Sequence, residues 1–294
     1  MPTNEQRREA AKRKLERQLE RRVQKARQQR ILTVVASVVA LVAVAAGVWF
    51  FVFPKSDSTS TSASASTSAA PAPATPTVLT RGGPDQLPAF KAPPGLGSKC
   101  EYPKAQAASK PVEPPKSGQV PTDPATISVS MSTDQGNVGL ILNNAEAPCT
   151  VNSFVSLAQK GFFNDTGCHR LTTSPGLGVL QCGDPGGNGA GGPGYQFANE
   201  YPTNQYAKDD PALQKPVLYP RGALAMANAG ANTNGSQFFL VYKDSQLPPN
   251  YTVFGTIDST GLATLDKIAG GGVNGGGGDG RPTTQVTIKS VLLD

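Results

Sequence analysis

His169 and Arg170 stand side by side in CHRLTTSPGLGVLQCGD, and His169 is the one histidine among 294 residues. Any nucleophile–histidine–acid relay must run through it, yet no Ser or Cys occupies the strand-to-helix elbow that exposes a nucleophile. A zinc site would have a single imidazole and no nearby acidic cluster to complete it. GNGAGG at 187–192 fits a dinucleotide glycine pattern, but Asp184-Pro185 precedes it and Pro193-Gly194 follows, so no helix N-terminus is offered to a pyrophosphate. The glycine-rich run 270–280 lacks the Lys-Ser/Thr of a phosphate loop. Both runs read as flexible loops, and neither a metal nor a cofactor is expected. Hydrolysis fails for want of a base and a nucleophile.

Two longer stretches point elsewhere. One is CHRLTTSPGLGVLQCGDPGGNGAGGPGYQFANE, the other GALAMANAGANTNGSQFFLVYKDSQLPPNYTVFG. Together they resemble the cyclophilin family, whose pattern runs His-Arg, Gln-x-Gly-Asp, a Gly-rich loop, Met-Ala-Asn-Ala-Gly-x-Asn-Thr-Asn-Gly-Ser-Gln-Phe-Phe and Val-Phe-Gly. The likeness covers Ala125 to Asp294, and the MANAGANTNGSQFF run is long and low in degeneracy. The resemblance implies a closed antiparallel eight-stranded β-barrel capped by two α-helices. It also implies peptidyl-prolyl cis/trans isomerase activity on Pro-containing polypeptides.

That activity makes physical sense of the residues. Rotation about a peptide bond costs about 18–20 kcal/mol because it destroys amide resonance. Unaided Xaa-Pro isomerisation takes roughly tens to hundreds of seconds. No bond to nitrogen need break, so no nucleophile is required; preferential binding of the twisted amide suffices. The twisted nitrogen is pyramidal and accepts a hydrogen bond that the planar amide cannot. By resemblance the donor is Arg170, with Gln181 and Asn228 holding the carbonyl and backbone on either side. Phe239 and Leu247 would wall an apolar proline pocket with the aliphatic residues near Val179. Ala227 and Ala229 would leave room for substrate backbone, and Gln237 would line the groove. His169 is, in that pattern, a structural neighbour rather than a base.

The sequence also departs from the family. Ten residues separate His169-Arg170 from Gln181, where seven are common. The extra length falls where a Phe-Met pair usually walls the pocket, so Leu177, Val179 or Leu180 must substitute. Gln246 stands where a Trp important for cyclosporin binding is often found, and weakened cyclosporin affinity is expected. Tyr251 replaces a frequent pocket His.

The elements that must position these residues lie late in the chain. The net charge of +6 is carried by an arm, since residues 1–30 hold eleven Lys/Arg and four Asp/Glu, leaving sixteen against seventeen beyond it. The main domain therefore lacks the basic face that nucleic-acid binding needs. The arm reads as helix, with Leu15, Leu19, Val23 and Ala26 recurring at three and four. Its charges either touch anionic headgroups or act as a solvated orientation signal. Ile31 to Phe53 is uncharged and, at helical rise, spans roughly 34 Å, enough to cross a bilayer. A buried core helix and a cleaved signal peptide are the competing readings; the length favours an uncleaved signal-anchor. The positive-inside rule puts 1–30 in the cytoplasm and the rest outside. Residues 54–120, rich in Ser, Thr, Ala and Pro, read as a linker, disordered over SDSTSTSASASTSAAPAPATPT, with Pro84 to Pro124 an extended lead-in partly pinned to the domain around Cys100. Anchor and stalk resemble those of envelope cyclophilins of high-GC Gram-positive bacteria.

In the isomerase domain, 121–294, Ile127–Met131 and Val138–Leu142 alternate as a hairpin. PCTVNSFVSLAQKGFF reads as a helix capped by Thr150 and stopped by Gly161. Short strands are expected at CHRL, VLQCG, GALAMA, SQFFLVY, TVFGTI and TIKSVLL. A second helix, GLATLDKIAG, turns Leu262, Leu265 and Ile268 inward. Four cysteines outside the cytoplasm allow three disulfide pairings, or buried free thiols. If the strands pair as in the family, Cys168 bridges Cys182, leaving Cys100 for Cys149. A binding or chaperone module that has kept the groove without turnover is the competing function.

Overall fold

The computed structural model describes residues 77–294. The basic arm, the apolar stretch Ile31–Phe53 and the linker as far as 76 lie outside the described residues. Among the described residues no helix is long and apolar enough to cross a membrane.

The domain is mainly β. The expected hairpin is present as β1 (Thr126–Thr133) and β2 (Gly136–Asn143), joined by a tight turn in which Gly136 has φ +138°. Two short strands, β3 (Thr166–Gly167) and β4 (Arg170–Thr172), precede β5 (Gly178–Cys182). Then come β6 (Val217–Tyr219), β7 (Ala223–Met226), β8 (Phe238–Lys243) and β9 (Ser245–Leu247). The last three are β10 (Val253–Ile257), β11 (Asp279–Gly280) and β12 (Thr287–Leu293). Ten strands form one antiparallel sheet in the order β11-β4-β5-β8-β7-β10-β2-β1-β12-β3, while β6 and β9 pair separately. Register shifts at Ser132/Thr133, Gly178/Val179 and Val253/Gly255 mark bulges, which bend a strand and raise its twist, so the sheet curls. The strand order is linear, with β11 and β3 at its ends, and it includes two-residue strands that carry no periodic sequence pattern.

The central strands are apolar on both faces because both faces are covered. Along β8, Phe238, Leu240 and Tyr242 enter the main core while Phe239 and Val241 enter a second, smaller one. In β7, Leu224 and Met226 face the first and Ala223 and Ala225 the second. Helix α1 (Pro148–Gln159) presses Phe154 against Phe163, Phe238 and Phe254 in the main core. Helix α2 (Ser259–Gly270) buries Leu265 and Ile268, with Leu262 half-buried beside them. Asp258 caps α2 by accepting from Gly261 N at 2.6 Å.

The cap of α1 corrects the sequence reading. Thr150 lies inside the first turn; Ala147 is the N-cap, and Pro148 occupies the first helical position, where its missing N–H costs nothing. The acceptor comes from far along the chain. Buried Glu200 accepts from Cys149 N at 3.1 Å, Thr150 N at 2.8 Å and the Thr150 hydroxyl at 2.6 Å. Gly161, at φ +62°, ends the helix as expected.

Residues 77–120, assigned to the linker from composition, are laid against the domain. Leu79 and Leu87 are buried in the second core and Cys100 and Tyr102 in the main one. Arg81 pairs with Glu146 at 2.7 Å and stacks 4.6 Å from the Tyr201 ring centre. Leu218 N donates to Asp85 O at 2.7 Å, and Tyr201 Oη to Pro88 O at 2.6 Å. A few large apolar side chains in a Pro-rich segment are enough, because backbone groups that cannot pair locally pair with the domain. Two disulfides, Cys100–Cys149 and Cys168–Cys182, use all four cysteines.

Candidate active site

Strand register brings the site together. Arg170 on β4 lies opposite Gln181 on β5, Gln181 opposite Phe239 on β8, and Phe239 opposite Ala225 on β7. The four form one row across the sheet. Alternation within β5 puts Val179 on the same face, where it packs with Phe239 in the second core. Leu180 faces the other way, fully buried in the main core, and is removed from the pocket. An odd–even step along a strand decides this, so only Val179 or Leu180 could face the groove, never both.

A cavity of about 220 Å³ is lined by Arg170, Leu177, Val179, Gln181, Ala227, Asn228, Phe239, Leu247 and Tyr251. Leu177, from the inserted turn, and Val179 supply the aliphatic wall. Phe239 is nearly buried and meets Tyr251 edge-on at 5.7 Å between ring centres. Tyr219, which sequence reasoning missed, lies beneath them. Its hydroxyl donates to Tyr251 O at 2.9 Å, fixing the segment that carries Tyr251. Asn228 Nδ2 donates to Asn250 O at 2.8 Å, while its Oδ1 accepts from Gly230 N at 3.2 Å. A second cavity, about 350 Å³, shares Gln181, Ala227 and Asn228 and is further lined by Ala229 and Gln237. The expected residues therefore divide between two adjoining cavities, with Ala229 and Gln237 in the second.

Arg170 is held by a partner that the sequence did not reveal. Asp279 accepts from Arg170 Nε and Nη2, both at 2.7 Å, and Gln181 Oε1 accepts from Nη1 at 3.2 Å. The pair is half-exposed. Asp279's hydrogen bonds raise the Arg170 pKa above its ordinary value, and those same bonds hold Asp279 below the usual carboxylate range. Asp279 is the only acid in the glycine-rich run 270–280, and that isolation was its one sequence signal. Gln181 Nε2 donates to Gln237 Oε1 at 2.9 Å, and Gln237 Nε2 donates to Gly189 O and Gly191 O, both at 2.9 Å. A chain of hydrogen bonds thus runs from Asp279 through Arg170, Gln181 and Gln237 to the glycine loop.

His169 lines neither cavity. Burial pushes its pKa down, against the pull of Asp184, with Arg281 and Arg170 adding to the depression. Asp184, fully buried, organises the glycine loop by accepting from Gly186 N at 2.8 Å, Asn188 N at 3.1 Å and Gly189 N at 2.8 Å. Burial alone would raise its pKa, but these backbone donors together carry it below the ordinary value. A depressed folded pKa contributes stability above the unfolded pKa, and that stability is lost as pH falls through the folded value. The loss is expected below about pH 4. Asp184→Asn is expected to cost about 2–3 kcal/mol at neutral pH, because an amide offers fewer acceptors to a ring of N–H donors. Its unfolding curve should also lose this share of the acid dependence. A variant as stable as wild type at pH 7 by urea titration would remove Asp184 from that role.

A curled antiparallel sheet thus carries an arginine-centred groove. The family model for cyclophilin type peptidyl-prolyl cis-trans isomerases matches residues 128–292, and the chain belongs to that family. It is 62% identical over 295 residues, all of both chains, to a Mycobacterium leprae protein described as a probable peptidyl-prolyl cis-trans isomerase B. A protein of the same description from Mycobacterium tuberculosis is 69% identical over 209 residues, 71% of this chain and 68% of that one. A Cryptosporidium parvum cyclophilin type isomerase, solved in the presence of the dipeptide Ala-Pro, is 30% identical. Its match covers 57% of this chain and 98% of that one, with a TM-score of 0.45. The chain is thus a cyclophilin-type peptidyl-prolyl cis-trans isomerase.

Proposed function

We propose that this isomerase turns Xaa-Pro bonds of extracytoplasmic polypeptides, and that Arg170, Gln181, Asn228 and Phe239 carry the reaction. The single observation behind the residue roles is that all four line one cavity, with the guanidinium fixed at its rim. The proline ring sits against Phe239, Val179, Leu177 and Leu247. Of the five guanidinium N–H groups, two donate to Asp279 and one to Gln181. The remaining two serve the amide nitrogen as it loses resonance and becomes pyramidal. Gln181 and Asn228 hold the flanking carbonyl and backbone. A fixed donor needs no reorganisation at the moment of rotation, so its effect is larger on the twisted amide than on the planar one. Cis/trans exchange in short Xaa-Pro peptides, measured by NMR with the full chain and with Arg170→Ala, tests these roles. Equal exchange in the two samples would overturn them.

The same proposal includes closure of the sheet into an eight-stranded barrel, weakened cyclosporin binding through Gln246, and anchoring by Ile31–Phe53 with the domain outside. Two disulfides support an oxidising compartment. On spheroplasts, a membrane-impermeant amine reagent should modify Lys91, Lys99 and Lys208 but not Lys12, Lys14 or Lys25. Labelling of both sets, or of the first set only after lysis, would refute the topology.

A further inference from the structure

A third cavity, of about 330 Å³, shares no lining residue with the two already described. It is lined by residues 167–169 and by the segment that follows β11, which supplies Arg281, Thr283 and Gln285, and Asn274 lines it as well. No acidic side chain lines it, and Arg281 is its one permanently charged group. The described residues include four arginines. Three are paired with a carboxylate, Arg81 with Glu146, Arg170 with Asp279 and Arg221 with Asp266, each at 2.7 Å. Among the described residues Arg281 has no such partner, and its guanidinium makes a single hydrogen bond, from Nη2 to Gly187 O at 2.7 Å. His169, which also lines this cavity, is only 9% exposed, and neither of its ring nitrogens has a hydrogen-bond partner. A neutral imidazole holds one donor and one acceptor, so a buried N–H here is left for a ligand.

We propose that this cavity is a binding site for a carboxylate, with Arg281 as its anchor and the His169 N–H as a second donor. The guanidinium keeps four N–H groups beyond the one given to Gly187, enough for the planar two-point bond that a carboxylate makes with an arginine fork. Asn274, Thr283 and Gln285 add neutral polar groups around it. One unpaired positive charge matches a monoanion. A dianion would bring a charge that nothing in the cavity balances, and a cation would meet Arg281 with no acid beside it. The volume lies at the low end of the roughly 300–1,000 Å³ of small-molecule sites, so the ligand is a small free acid or the terminal carboxylate of a polypeptide.

The single histidine of the chain supplies the probe. Full-length protein labelled at histidine Cε1 is titrated by NMR with acetate, with acetyl-Ala-Ala and with acetyl-Ala-Ala amide, against sodium chloride at equal ionic strength. Both acids should shift the His169 resonance saturably. They should also raise its midpoint in a pH titration, because a nearby negative charge favours the imidazolium. The amide and chloride should do neither. Acetyl-Ala-Ala binding tighter than acetate would assign the site to a chain terminus, and binding no tighter would assign it to a free acid. Arg281→Gln should weaken the binding of both acids by about tenfold, the loss of a charge-assisted hydrogen bond. Arg281→Lys should fall between that variant and wild type, since it keeps the charge without the fork. Equal shifts in wild type and Arg281→Gln, or no saturation with either acid, overturn the proposal. So does a shift that is abolished by Arg170→Ala and kept by Arg281→Gln, which would place the acid in the proline groove.

Discussion

Replacing Arg170 by alanine is expected to lower kcat/KM for Xaa-Pro exchange by about 10²–10³-fold, the effect of deleting one preorganised donor to a developing charge. The structure makes the arginine fork, not merely a positive charge, the active feature. Asp279 takes Nε and Nη2 together while Gln181 takes Nη1, so the guanidinium plane is fixed at three of its N–H groups. Lysine has no planar fork and cannot reproduce that arrangement, so Arg170→Lys should recover little of the loss. Asp279→Asn should lower activity by about two- to fivefold only, since a half-exposed pair is worth roughly 0.2–1 kcal/mol and Arg170 retains Gln181. The ranking is the informative part: Arg170→Ala far below wild type, Arg170→Lys close to it, and Asp279→Asn near wild type. Full activity in Arg170→Lys would show that charge alone suffices and would refute the geometric argument.

Why the sequence disclosed some of this and not the rest follows from how each feature is encoded. The strands carrying Gln181, Phe239 and Ala225 are runs of apolar residues, and motif matching set their neighbours without any knowledge of register. Register then explains what the runs could not. Val179 and Leu180 are equally apolar, and only the pairing of β5 with β8 turns the first to the groove and the second to the main core. The cap of α1 was misplaced because its acceptor, Glu200, is 50 residues away from Thr150, beyond the reach of any local pattern. Asp279 was hidden in a glycine run whose composition suggests freedom, yet β11 pairs Asp279 with Thr172 and Gly280 with Leu171. Strands of two residues, such as β3 and β11, have no period to detect.

The lead-in, expected to be pinned around Cys100, is also held at Leu79 and Leu87, and it supports the second large prediction. Averaged over 54–120 its composition is that of an unfolded chain, but stability depends on which side chains are buried, not on the average. Leu87 is fully buried in the small core that also holds Val179, Phe239 and Tyr219. Leu87→Ala in the full-length chain is therefore expected to cost about 2–5 kcal/mol. For a domain of this size each kcal/mol lowers Tm by roughly 2–4 °C, so a fall of about 4–20 °C should be seen by calorimetry. A chain beginning at 121 loses more. Leu79, Tyr102 and the Arg81–Glu146 pair go with Leu87, and the Cys100–Cys149 crosslink, worth about 2–4 kcal/mol, goes too. Such a chain should melt well below one beginning at 77, and its KM for Xaa-Pro peptides should rise, because the pocket wall of Val179 and Phe239 loses its backing. Two chains melting within about 2 °C of each other would mean that residues 77–120 rest on the domain without stabilising it. The contrast with Arg170→Ala then separates two kinds of dependence on this one cavity. The arginine variant should lose turnover at unchanged Tm, whereas the truncated chain should lose Tm first and affinity with it.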